Sequence, residues 1–128
     1  GDFIWGRHPE IVKRLNGTIH LVPGSHDNVK QFKHLPNKVK IEGKLYELKH
    51  QKKMIVLCHY PLISWRQSYH GSWHLHGHSH GNLPQALVRR YDVGVDVNDF
   101  YPVSMEEIEY IMSKLSPMKK ESFSGRGL

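Results

Sequence analysis

The run "MIVLC", Met54–Cys58, constrains this chain more than any other stretch. It follows Lys52-Lys53 and stops at His59-Tyr60-Pro61, and it contains no polar position that could face water. An uninterrupted apolar strand of this length must be covered on both faces, as strands of α/β sheets are.

The neighbouring segments fit that class. "TIHLVPG" predicts a short buried strand ending at Pro23-Gly24. "PEIVKRL", Pro9–Leu15, predicts a helix with Pro9 in its first turn, Ile11, Val12 and Leu15 on one face, and a stop at Asn16-Gly17. "NKVKIEGKLYELKH" alternates apolar and polar residues and predicts a hairpin turning at Glu42-Gly43. "SWHLHG" and "RRYDVGVDV" predict two more strands. Ser104 and Glu107 form a capping-box pair ahead of a stripe of Met105, Ile108, Ile111, Met112 and Leu115, which predicts a final helix. The expected organisation is one α/β domain over residues 1–115, followed by a flexible tail, 116–128.

Composition excludes several classes. No apolar run approaches the ~18 residues of a membrane span, so no membrane partner is expected. The single cysteine, Cys58, rules out an internal disulfide and fits a reducing, cytoplasmic compartment. A formal charge of +6 suits a phosphate-bearing partner. No block of Lys and Arg interleaved with aromatics singles out nucleic acid.

Histidine is the unusual residue. Five of the 11 histidines fall between His70 and His80, and His74, His76, His78 and His80 occupy alternate positions. Four clusters of carboxylate or imidazole lie where strands end or the chain turns: Gly1-Asp2, "PGSHD" (Pro23–Asp27), "CHYP" (Cys58–Pro61) and "GHSH" (Gly77–His80). A metal site built on a sheet needs such a spread, because no single segment supplies all its ligands. Open α/β sheets bind ligands at these strand exits.

In this order the clusters resemble the motifs of the calcineurin-like metallophosphoesterase superfamily, in its small stand-alone type. That family reads D-x-H, G-D, G-N-H-[DE], a lone histidine after a buried strand, and G-H-x-H. This chain carries "GD", "GSHD", "LCHYP" and "GHSH" across residues 1–115, and "VGVDVNDFYPVSMEEI" also resembles the family. D-x-H is missing, which with the start at Gly1-Asp2 predicts an N-terminal truncation.

The resemblance implies a four-layer αββα sandwich lacking its first strand or strands. It implies hydrolysis of a phosphomonoester or phosphodiester, nucleotides and nucleic acids among them, by a metal-activated hydroxide. The full-length protein would hold two divalent ions (Mn, Fe, Ni or Zn) and this chain one, with little activity of its own. Asp2 matches the bridging carboxylate, His59 and His78 ligands of one ion, and His80 a ligand of the other. Ser25 stands where the family has an asparagine ligand, and a hydroxyl is a poorer donor. His26 matches the histidine near the leaving group, and Asp27 the acid that holds it. Arg66 and His70, in the loop near the site, are candidates for substrate phosphate. His74 and His76 read as packing residues, and Asp92, Asp96 and Asp99 as loop and cap residues. The rival readings are a non-catalytic metal-binding or scaffold descendant of this fold, and a basic nucleic-acid-binding module.

Overall fold

A computed structural model describes residues 1–120 as an α/β domain with two small sheets. Strand β1 (Ile19–Leu21) pairs in parallel with β2 (Val39–Ile41). The second sheet holds β3 (Leu45–His50), β4 (Lys53–Cys58), β5 (Trp73–His76) and β6 (Arg90–Asp92), in that order. The β3–β4 pair is antiparallel, whereas β4–β5 and β5–β6 are parallel. One α-helix, α1 (Met105–Ser113), closes the described chain. No described helix is long and apolar enough to cross a membrane.

The apolar run is covered on both faces. Ile55 packs with Trp73, Leu75, Ile108 and Met112, while Met54 and Val56 pack with Trp65. This is the period-2 alternation of a strand, with α1 against one face and the loop after β4 against the other. The α1 start is as expected, with Ser104 Oγ accepting from Glu107 N–H at 3.1 Å. Ile108 and Met112 are buried. A third cluster, of Ile4, Val12, Leu21, Phe32 and Val39, lies around β1 and β2.

Three expectations need correction. Pro9–Arg14 is a 3-10 helix, not an α-helix. Of its expected apolar face only Val12 is buried, with Ile11 and Leu15 exposed, too little to hold several α-turns. The hairpin turn lies at Gln51-Lys52, between β3 and β4, where both residues have positive φ (46° and 67°). Glu42 instead extends the β1–β2 pairing through its N–H to Leu21 O, and Gly43 carries the chain between sheets. Residues 116 and 118, expected in a flexible tail, are held by the fold. Ser116 bridges to Val88, Met118 N–H donates to Ser68 O, and Met118 packs on the Trp65 cluster. Residues 121–128 of the expected flexible tail lie outside the described residues.

Ile55 is 1% exposed between β3 and β5. Replacing it with alanine should cost about 2–4 kcal/mol in urea unfolding. Ser104→Ala should cost about 1 kcal/mol through the lost cap. Equal, negligible effects of both would refute this account of the core.

Candidate active site

The ends of β1, β4, β5 and β6 open onto one cleft of about 820 Å³. Asp2, His20, His59, His76, His78, His80 and Asp96 are among its polar lining, and Ile19, Leu21, Leu57, Leu75 and Val93 among its apolar walls. The sheets thus bring together four of the predicted metal ligands from three separate segments.

Asp2 is fixed from both sides. Asp27 Oδ2 accepts from Asp2 N–H (2.7 Å) and Gly24 N–H (2.8 Å), and its Oδ1 from Phe3 N–H (2.8 Å). His26 N–H then donates to Asp2 Oδ1 at 2.8 Å. The approach is so close that side chains are excluded. A Cβ on Gly1 would lie 2.8 Å from His59 Nδ1, and one on Gly24 2.6 Å from the Asp2 nitrogen. These contacts give a steric reason for glycine in both "GD" and "PGSHD".

His59 is 3% exposed at the exit of β4. Its Nε2 lies 3.2 Å from Asp2 Oδ2, yet neither ring nitrogen makes a hydrogen bond. Burial pushes its pKa down, against the pull of the Asp2 carboxylate. For Asp2, burial opposes ionisation, but the His26 N–H and the nearby His59 and His26 rings outweigh it and hold the carboxyl below its ordinary value. Metal binding requires a neutral imidazole and an ionised carboxylate, and both shifts run in that direction. The His78 ring stands edge-on to His59 at 5.2 Å and to Tyr60 at 4.7 Å. Among the described residues, no three His, Cys, Asp or Glu side chains are already drawn together as a metal-binding group.

His80 reaches Asp96, with Nδ1 2.5 Å from Asp96 Oδ2, and this bond raises the His80 pKa. Asp96, expected as a loop or cap residue, lies 16 positions from His80 in sequence. The strand expected over "RRYDVGVDV" ends at Asp92, and Val95–Val97 is a 3-10 turn, which is what brings Asp96 to the cleft.

The earlier histidines serve the strand. His74 is fully buried, with Nδ1 2.9 Å from Val56 O and Nε2 accepting from Leu62 N–H at 3.0 Å. Both nitrogens are occupied, so His74 has no atom left for a ligand. His76 donates through Nδ1 to Gly77 O (2.9 Å).

Four predicted residues are placed otherwise than expected. Asp27 does not hold the His26 ring, because its carboxylate oxygens serve three backbone N–H groups. Ser25 is exposed and outside the cleft lining. Arg66 turns away to pair with Glu47 on β3 at 2.8 Å, and exposed His70 also lies outside the lining, so neither is placed to meet a substrate in the cleft. His26 sits at the rim, its ring stacked 4.2 Å from that of Trp5, which does line the cleft.

No protein-family model matches the chain, and no curated protein matches it. Among solved structures it is similar to the protein of unknown function AQ665 from Aquifex aeolicus, with 27% identity and a TM-score of 0.60. The likeness covers 80% of this chain and 66% of that one, so this chain spans just under two thirds of its length.

Burial lowers the His74 pKa to about 4 in the folded protein, against an unfolded value of 6.5. Above pH 6.5 the ring is neutral in both states. As pH falls from 6.5 toward 4, the unfolded chain takes up the proton first, so stability should fall by roughly 3 kcal/mol across that window. Urea titrations at stepped pH should show this slope shrinking in His74→Gln; an unchanged slope would refute the assignment.

Proposed function

We propose that this chain is a calcineurin-like metallophosphoesterase domain that hydrolyses a phosphomonoester or phosphodiester with divalent metal. One observation carries the reading. A buried imidazole, His59, keeps both nitrogens without hydrogen bonds at a cleft wall, with Nε2 beside the Asp2 carboxylate. Leaving a buried polar group unpaired costs about 1–3 kcal/mol, which a cation at that nitrogen would offset.

The residues fit a metal. Asp2 and His59 would hold one ion, joined by His78 from the same cleft, with His80 and Asp2 available to a second. Imidazole and carboxylate donors suit Mn, Fe, Ni or Zn. A divalent ion bound here would supply a Lewis acid for a phosphoryl oxygen and make a water more acidic.

The chain's own groups do the rest. Asp27 fixes the backbone that carries Asp2, and the His26 N–H occupies Oδ1 so that Oδ2 faces His59. The apolar walls limit the water around a bound ester. From the rim, His26 is the group to protonate a leaving oxygen, and the +6 charge draws phosphate in. The αββα sandwich belongs to the same proposal, supported by two sheets whose strand ends share one cleft.

Calorimetric titration with manganese or zinc should show binding that weakens at least ~100-fold in His59→Ala and His78→Ala. Manganese-dependent hydrolysis of p-nitrophenyl phosphate or its bis-ester should fall to background in both. Undiminished metal binding by the two variants would overturn the proposal. Metal-independent, steeply salt-dependent binding of nucleic acid would favour the basic-module reading.

A further inference from the structure

We infer that Asp96 is a positioning residue for His80, holding the proton on Nδ1 so that Nε2 presents its lone pair as the ligating atom. The inference rests on the metal reading above.

The geometry is specific. His80 Nδ1 and Asp96 Oδ2 are 2.5 Å apart, and both residues line the cleft that holds Asp2, His59 and His78. The turn that carries Asp96, Val95–Val97, is braced. Asn98 Nδ2 donates to Asp92 O (3.0 Å) and Gly94 O (2.8 Å), and Tyr91 Oη donates to Asn98 Oδ1 (2.6 Å). Gly94 leaves room for the carboxylate to fold back, since a Cβ there would lie 2.8 Å from Asp96 Oδ1.

The His80 side chain is 68% exposed and that of Asp96 39%. A pair this open to water adds little to folding, so folding stability does not account for a contact this short and well placed. Orientation does. A neutral imidazole carries one N–H, and a carboxylate at Nδ1 fixes it there and makes Nε2 the better donor. Carboxylates behind ligating histidines commonly act in this way, and their loss weakens metal binding ~10–100-fold.

The test begins without metal. Two-bond ¹H–¹⁵N correlation of the labelled protein, with His80 assigned against His80→Gln, should show the Nδ1–H tautomer once the ring is neutral. Asp96→Ala should shift it toward Nε2–H. Zinc titrations should then show ~10–100-fold weaker binding at the second site, the one His80 serves, in Asp96→Ala. Asp96→Asn, which keeps an acceptor oxygen, should recover most of it. An Nε2–H tautomer in the wild type, or zinc binding that Asp96→Ala leaves unchanged, would overturn the assignment alone. No zinc binding by the wild type would overturn the metal reading and the assignment with it.

Discussion

The carboxylate of Asp27 is the interaction on which the site depends. It accepts three backbone N–H bonds, from Asp2, Phe3 and Gly24, and so ties the first residues to the loop after β1. Among the described residues no strand ladder involves residues 1–3, so these bonds do the work that sheet pairing does elsewhere. Bonds to an ionised acceptor are stronger than neutral ones, about 1.5–3 kcal/mol each. Without them the Asp2 carboxylate would not be held beside His59. The two glycines at the crossing, Gly1 and Gly24, let the segments approach closely enough for one carboxylate to reach both.

The β4–β5 pair then divides the histidines. Along β5, Trp73 and Leu75 join the cluster that includes α1, while His74 lies against Trp65 with its ring 5.2 Å from the indole. His74 therefore becomes a neutral strut between β4 and the following loop, satisfied at both nitrogens. Past Gly77 the strand has ended. His78 and His80 take left-handed backbone angles (φ 69° and 49°), which break the alternation that "HLHGHSHG" suggests. A regular sequence spacing has become two structural roles because the backbone changes conformation partway through it.

Much of this was legible in the sequence where the cause is local. The doubly covered apolar run, the Ser104 cap and the clustering of polar residues at strand exits all follow from neighbouring residues. The misplaced hairpin has a local cause too, of a less visible kind. Gln51 and Lys52 adopt positive φ without glycine, whereas Gly43 advertised a turn that serves a crossing between sheets. Other assignments depended on tertiary contacts that spacing does not encode. Asp27 stands next to His26 in sequence, yet its partners include backbone 24 and 25 residues away. Arg66 is drawn to Glu47 by the fold of the loop, and Asp96 meets His80 only once β6 lies beside β5.

Three of the eight described non-glycine residues with positive φ lie where these contacts converge. Asp2 (φ 52°), His78 and His80 are all non-glycine residues in the left-handed region, a conformation that costs of order 1–3 kcal/mol where it is strained. Such a backbone persists only where its surroundings hold it. Asp2 is held by Asp27 and the His26 N–H, and His80 by Asp96, while the His78 ring lies against the edges of His59 and Tyr60. In a continuing strand His78 and His80 would share one sheet face with His74 and His76. The left-handed turns take them out of that pattern, and both line the cleft with Asp2. The strain and the contacts that sustain it thus have one geometric result, a set of carboxylate and imidazole groups placed where the strands end.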